Sequence, residues 1–214
     1  MNLHPHKKIR VLLAWLWLLL LLAGHGMADS VQEAELISNP TPSPFNICFN
    51  HGCQSLADVS LAPEQWQEIR KLFSPEPVSP WEERERIAQA VGKLEIITGE
   101  LTGIDNDRGG SLAGLWMRNQ MDCVDESTNT HTYLAMLKND GLLKYHVLAE
   151  NERRFRPHLY QHYSAVIGET ATQKKYAVDS WFLDNGQPPI ILLLSVWKQG
   201  WTPGDKIPDT DKSN

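Results

Sequence analysis

The residue with the clearest chemical potential is Cys123, a thiol without an obvious partner. The chain has three cysteines, and Cys48 and Cys53 are close enough to form a short disulfide loop. Cys123 then has no thiol left to pair with. An unused thiol risks wrong disulfides in an oxidising compartment, whereas a thiolate is a strong nucleophile. The odd cysteine count therefore makes Cys123 a candidate nucleophile.

The local sequence predicts that Cys123 lies in the first turn of a helix. Residues 122–138 have helical spacing, and Asp122 is a good N-cap. The unpaired N–H groups of a first helical turn favour a thiolate and can also stabilise an oxyanion. The carboxylates of Asp122 and Asp125 act in the opposite direction, so a histidine would be needed to take the thiol proton.

His162 and Asp179 supply that histidine and a carboxylate to orient it. His162 lies in a strand-like segment, 160–167, and Asp179 in the next one, 175–181. A symmetric hairpin over the residues between them would place the two side chains directly opposite, with Cβ atoms about 5 Å apart. A cysteine, a histidine and an aspartate so arranged can act as nucleophile, base and orienting acid.

Two other readings of these residues stay open. His158 and His162 are four residues apart, which suits two metal ligands on one helical face, and Cys123 and Asp179 could join them. A strand at 160–167 would separate the two histidines and argues against this site. The protein could also be a non-catalytic binding or envelope-assembly protein that uses the apolar segment 190–197 as an interaction surface.

The order of the predicted elements indicates an α+β domain in which N-terminal helices pack on an antiparallel sheet. The charged stretch 82–86 is expected on a solvated helix face, and the basic stretch 153–156 in a solvated loop. Helices are predicted over 63–73, from Ser79 to about 97, and over 122–138. Strands are predicted over 142–148, 160–167, 175–181 and 190–196.

The N-terminus predicts export. Basic residues precede an apolar run over 11–23 that is short for a bilayer span, and small residues lead up to Ala28. We therefore expect a signal peptide, 1–28, cleaved after Ala28, and a periplasmic location; an uncleaved anchor is the alternative. A flexible leader is predicted over 29–45, a single domain over 46–205 and a disordered tail over 206–214.

The charge of the chain restricts its partners. Cleavage removes three basic residues and no acidic ones, so the net charge changes from −6 to −9. An acidic protein without a basic cluster is unsuited to nucleic acids and to anionic lipid surfaces. No membrane insertion is expected after signal cleavage.

The three motifs together resemble the bacterial transglutaminase-like cysteine proteinases of the periplasm. The matching segments are Asp-Cys-Val-Asp-Glu at 122–126, Gln-His-Tyr-Ser-Ala-Val at 161–166 and Val-Asp-Ser-Trp at 178–181. The resemblance implies a papain/transglutaminase-like core. It also implies a Cys123-His162-Asp179 triad in a cysteine peptidase, amidase or acyl transferase acting on a peptide or protein.

The same resemblance suggests further site residues. Some relatives bind calcium through acids around the nucleophile, which points here to Asp122, Asp125 and Glu126, although Val124 stands where an acid often follows the cysteine. Gln120 is the candidate for an oxyanion-stabilising amide. No other metal or cofactor is expected.

Overall fold

The computed structural model describes residues 36–110, 117–156 and 159–206. The expected signal peptide, the first residues of the leader, His158 and nearly all of the C-terminal tail lie outside these ranges. The described helices are α1 (Pro63–Leu72), α2 (Pro80–Thr102), α3 (Cys123–Asn139) and α4 (Leu194–Lys198). The described strands are β1 (Phe45–Phe49), β2 (Ser55–Val59), β3 (His146–Arg156), β4 (Leu159–Glu169), β5 (Lys175–Asp179) and β6 (Ile190–Leu193).

The strands form two antiparallel sheets, so the α+β class is confirmed. β1 and β2 make a hairpin ahead of the long helices. The other four strands pair in chain order as β3-β4-β5-β6, each with its neighbour along the chain. Short connections between adjacent antiparallel strands explain this meander.

The two faces of the larger sheet pack against different partners. Ala165 and Ile167 of β4 join the main core with α2 and α3, while Val166 between them joins a smaller cluster that contains Trp197 of α4. Successive strand residues point to opposite faces. His162 has the same parity as Val166, which places its side chain on the α4 face.

The starts of α2 and α3 agree with the sequence. The Ser79 side chain accepts a hydrogen bond from the Glu82 N–H at 3.1 Å, and Pro80 occupies the first helical position. The Asp122 carboxylate accepts from the N–H groups of Val124 and Asp125. Both caps were predicted from residue type, because Ser and Asp satisfy the unpaired donors of a first turn.

The charged stretch 82–86 is not simply a solvated face, and this prediction was wrong. Glu83 is fully buried and Arg84 nearly so. Glu83 precedes Ile87 by four residues and therefore lies on the apolar stripe of α2. Helical periodicity places a side chain on a face whatever its charge, and this carboxylate finds partners in the sheet.

The basic stretch 153–156 is not a loop either. It belongs to β3, and Arg154 is 2% exposed. Its guanidinium carbon lies 4.5 Å from the centroid of the Trp197 ring. Stacking on an aromatic face lets the guanidinium plane be buried, so charge alone was a poor guide to exposure.

The apolar run 190–196 divides between two elements. β6 ends at Leu193, and α4 begins at Leu194. A short apolar run does not distinguish a buried strand from a buried helix. The change from strand to helix brings Trp197 back over the sheet.

Part of the segment expected to be a flexible leader is attached to the domain. The Asn139 side chain of α3 donates to Asn39 Oδ1 and to the Pro40 carbonyl, and the Leu61 N–H donates to the Pro42 carbonyl. Within the described ranges, no helix combines the length and apolarity needed to cross a bilayer.

Candidate active site

Cys123 is the first residue of α3 and lies against the backbone of β4. Its Sγ is 3.6 Å from the carbonyl oxygen of Gln161, to which the thiol donates. The backbone N–H of Tyr163 donates to the same sulfur. β5 ends at Asp179, so no described strand pairs with this edge of β4 on the His162 side of Ala165. The thiol therefore contacts the strand on both sides of His162.

The environment of Cys123 opposes ionisation. Burial is the main cause, and the negative charges of Asp122 and Asp179 add to it, raising the thiol pKa to about 11. The hydrogen bond from the Tyr163 N–H acts in the opposite direction. The thiol is thus protonated at neutral pH, and the favourable position at a helix N-terminus does not by itself produce a thiolate.

The structure brings His162 and Asp179 together in a buried hydrogen-bonded pair. His162 Nε2 is 2.7 Å from Asp179 Oδ2, and the residues are 5% and 1% exposed. They are not directly opposite, as a symmetric hairpin would require. Ala165 pairs with Val178, and continuing this ladder places Asp179 opposite Ser164.

The hairpin differs from the predicted one because its centre lies one residue later. The Glu169 N–H bonds to the Lys174 carbonyl, which places the turn over 170–173. The resulting register shift is two residues, so both side chains keep the same face. His162 and Asp179 are diagonal neighbours, and an imidazole is long enough to span that separation.

Three aromatic rings surround the His162 imidazole. Its ring centroid lies 4.9 Å from that of Trp181, 5.1 Å from that of Phe182 and 5.5 Å from that of Trp197. These rings reduce access of water to the His162–Asp179 hydrogen bond. Lower local polarity strengthens such a charge-assisted contact.

Cys123 lies beside the part of β4 that carries His162, but no hydrogen bond joins these two described side chains. The thiol bonds to Gln161, while Nε2 of His162 is engaged by Asp179. The second ring nitrogen, Nδ1, is the one left to accept a proton from Cys123. Hydrogen bonds of an active site are often long or unformed without substrate.

The N-terminus of α3 is anchored by the Cys48–Cys53 loop. The two cysteines form a disulfide, and Asn50 to Cys53 all have positive φ angles. The N–H groups of His51 and Cys53 donate to the Asp125 carboxylate at 2.8 and 2.6 Å, and that of Gly52 donates to Asp122 at 3.0 Å. Consecutive backbone donors of this kind form an anion-binding nest.

We expect the disulfide to stabilise both the fold and the Cys123 turn. The double variant Cys48→Ser/Cys53→Ser should lower the free energy of unfolding by about 2 kcal/mol, the chain-entropy estimate for so short a loop. It should also change the rate of Cys123 alkylation, because the loop donors hold the α3 cap. Urea unfolding and alkylation measure the two effects. Reductant should reproduce them in the wild type and do nothing further to the variant, and a wild type insensitive to reductant would contradict the prediction.

Gln120 is engaged away from Cys123. Its side-chain amide donates to the Asn106 carbonyl at 3.1 Å, and its Oε1 accepts from the Arg108 N–H at 3.3 Å. The amide thus ties two parts of the loop before α3. Its proposed role at the oxyanion remains a prediction, and the Cys123 N–H, at a helix N-terminus, is a better-placed donor.

The acids expected to hold calcium have other partners here. His51, Asp122 and Asp125 offer ligand atoms within 4.8 Å of one another, but the Asp122 and Asp125 oxygens accept backbone N–H groups from the disulfide loop and the helix cap. Glu126 is turned into the core. A calcium ion would need oxygens released from these donors, so the arrangement does not fit one as it stands, and calcium binding remains a prediction.

A buried group of acids behind the site was missed by sequence reasoning. Glu126 hydrogen-bonds with Asp107, and Glu95 accepts from Ser180, the residue after Asp179. Burial raises the pKa of Asp107 to about 6 and that of Glu95 to about 7, and it raises the pKa of Glu126 well above its usual value. Glu95 and Glu126 line a closed cavity of about 10 Å³, enough for one water. Glu95 follows Ile87 by eight residues and Glu126 precedes Tyr133 by seven, so helical periodicity places both acids on the buried faces of α2 and α3, and this spacing was the available signal.

Comparison with protein-family models, with curated proteins and with solved structures finds no match to this chain.

Proposed function

We propose that this protein is an exported thiol enzyme, a periplasmic cysteine peptidase or amidase that works through Cys123, His162 and Asp179. The observation that carries the proposal is a buried His162–Asp179 pair on the strand whose backbone holds the Cys123 thiol on both sides of His162. The sequence resemblance to transglutaminase-like cysteine proteinases, with their papain-like core, supports the same assignment. The signal-like N-terminus supports the location.

The chemistry follows from the protonated thiol. Since Cys123 is not a thiolate at neutral pH, His162 Nδ1 takes its proton as the sulfur attacks the substrate carbonyl, and Asp179 stabilises the resulting imidazolium through Nε2. The Cys123 N–H at the start of α3 stabilises the oxyanion. His162 then returns the proton to the leaving amine, which leaves a thioester on Cys123.

A second nucleophile completes the cycle. Water attacks the thioester, with His162 as base, and releases the acid and the free thiol. An amine at the same point would give acyl transfer instead. Peptides and other amides are the substrate class consistent with this sequence of steps.

The test is the pH dependence of Cys123 alkylation by iodoacetamide, with the disulfide kept oxidised. We expect the wild type to react faster than a free thiol near neutral pH and His162→Ala to slow it at least about tenfold. The variant rate should then rise about tenfold per pH unit up to the pKa of the thiol, which burial raises to about 11 in the wild type, because without His162 as a base only the ionised thiol reacts. His131→Ala, which replaces a half-buried histidine eight residues further along α3, is the matched control and should leave the rate unchanged.

Acylation gives a second measure. An activated ester such as p-nitrophenyl acetate should leave one acetyl group on Cys123, seen by mass spectrometry, and none on Cys123→Ala. A wild-type thiol that reacts no faster than free cysteine, with a rate indifferent to His162, would overturn the proposal.

One observation favours a second candidate, a non-catalytic envelope protein. A thiol with a pKa raised to about 11 that donates to a backbone carbonyl is also what an unreactive, structural cysteine looks like. On this alternative Cys123→Ala would leave function in the cell intact and lower stability only. The alkylation profile above separates the two candidates.

A further inference from the structure

Trp197 contacts the same carboxylate oxygen as His162. Its indole Nε1 donates to Asp179 Oδ2 at 2.6 Å, and His162 Nε2 lies 2.7 Å from that oxygen. Trp197 is fully buried. Oδ1 of Asp179 has no hydrogen-bond partner within the described part of the chain. Two ring N–H donors, one of which belongs to the proposed base, thus converge on a single oxygen.

A carboxylate buried to this degree depends on its few donors. Without a donor, an ionised carboxylate in an apolar environment is strongly destabilised and tends to take up a proton. If Trp197 were lost, His162 would be the one hydrogen-bond donor left to the Asp179 carboxylate among the described residues. The carboxylate would then be free to rotate, and it would orient His162 less well.

Trp197 is itself held in place from β3. The Arg154 guanidinium stacks 4.5 Å from the centre of the indole, and its Nη1 donates to the Trp197 carbonyl. The indole also packs 5.5 Å from the imidazole ring. The stacked guanidinium and imidazole rings and the hydrogen bond to the Trp197 carbonyl restrict the orientation of the indole, so its N–H stays directed at Asp179.

We propose that Trp197 is a positioning residue for the Asp179–His162 pair. It holds Asp179 Oδ2 in place to accept from Nε2, which leaves Nδ1 as the nitrogen of His162 available to Cys123. This role rests on the proposed function of Cys123 and His162, and it adds a residue from α4 to them. The alternative is that Trp197 only fills the small core beneath the sheet.

Trp201 provides a matched control. It belongs to the same buried cluster and is 8% exposed, but its Nε1 has no hydrogen-bond partner within the described ranges. Trp197→Phe and Trp201→Phe remove the same volume, and only the first removes a donor to Asp179. A purely packing role predicts similar effects of the two changes.

The experiment compares alkylation of Cys123 in both variants across pH. We expect Trp197→Phe to react at least about tenfold more slowly at pH 7, with a profile shifted towards that of His162→Ala, and Trp201→Phe to stay within about twofold of the wild type. Equal slowing by both variants, or a Trp197→Phe profile identical to the wild type, would overturn the proposal. If Trp197→Phe fails to fold, benzothienylalanine at 197 keeps the ring size and removes only the N–H.

A proton NMR measurement tests the positioning role of Trp197 separately from the proposal that Cys123 is a nucleophile. The His162 N–H bonded to Asp179 should give a downfield signal, assigned by its absence in His162→Ala. We expect the signal to shift or broaden in Trp197→Phe and to persist in Trp201→Phe. This result does not require Cys123 to be reactive, so an unmoved signal overturns the Trp197 role alone, whereas an unreactive thiol overturns the proposed function.

Discussion

Replacing Glu83 by alanine should lower the free energy of unfolding by about 3 to 5 kcal/mol, because it removes one member of a buried charged network. The Glu83 carboxylate accepts the backbone N–H groups of Lys144, Tyr145 and His146, and it also bonds with His146 Nδ1 at 2.9 Å. These donors lie at the first residue of β3 and in the two residues before it, and they lose their acceptor in the variant. Arg84, the next residue, bonds with Glu169 at the end of β4.

Urea unfolding of matched variants tests this prediction. Glu85→Ala removes the same side chain two positions further along α2, from an exposed site, and should change stability by less than about 0.5 kcal/mol. Glu83→Gln keeps the shape but places an amide donor among backbone donors, so it should recover only part of the loss. A Glu83→Ala variant as stable as Glu85→Ala would show that the network contributes nothing.

Glu95→Gln should stabilise the protein at pH 8 and leave its stability nearly unchanged at pH 4. Burial raises the pKa of Glu95 from 4.5 to about 7, and the negative charge of Asp107 adds to this, although Ser180 and the Gly186 N–H bond to the carboxylate and act in the opposite direction. An amide oxygen can accept these two hydrogen bonds. The amide has no charge to bury, which removes the cost of ionisation.

The direction of this pH dependence follows from the pKa of Glu95, which is 4.5 in the unfolded chain and about 7 in the folded one. Below pH 4.5 the group is protonated in both folded and unfolded chains, so it contributes no cost. As the pH rises to about 7, the unfolded chain releases this proton first, and the folded state loses about 3 kcal/mol relative to acid conditions. Above pH 7 both states are ionised and the loss is complete.

Urea unfolding at pH 4, 6 and 8 measures the effect of Glu95→Gln. The difference between variant and wild type should grow with pH in favour of the variant. Glu100→Gln, from an exposed position on the same helix, should show no such trend. A Glu95→Gln variant that is equally destabilised at all three pH values would mean that the carboxylate is ionised and needed in the fold.

Local sequence was sufficient to predict the elements that carry the site. Ser79 and Asp122 marked the starts of α2 and α3 because N-cap chemistry depends on a few adjacent residues. Alternating residues in 160–167 and 175–181 indicated β4 and β5, and with them that His162 and Asp179 lie on one sheet face. The exact register between β4 and β5 could not be predicted from these patterns, since the centre of a hairpin depends on the geometry of its turn.

The buried polar contacts could not be predicted from the same patterns. Glu83, Arg154 and Glu95 carry charge, and charge in a sequence indicates solvent exposure unless a distant partner is known. Their partners lie between 43 and 91 residues away: β3 for Glu83, Trp197 for Arg154 and the loop after β5 for Glu95.

The sequence by itself determined which side chains could do chemistry at this site: an unpaired thiol at a helix start, and a histidine and an aspartate on adjoining strands. Only the tertiary structure decided how these groups are tuned. Burial and two aspartates hold the Cys123 proton, β5 ends where the thiol meets β4, and the turn from β6 into α4 brings the Trp197 N–H to Asp179. Those are effects of desolvation and of contacts between distant segments, and both arise only when the chain has packed.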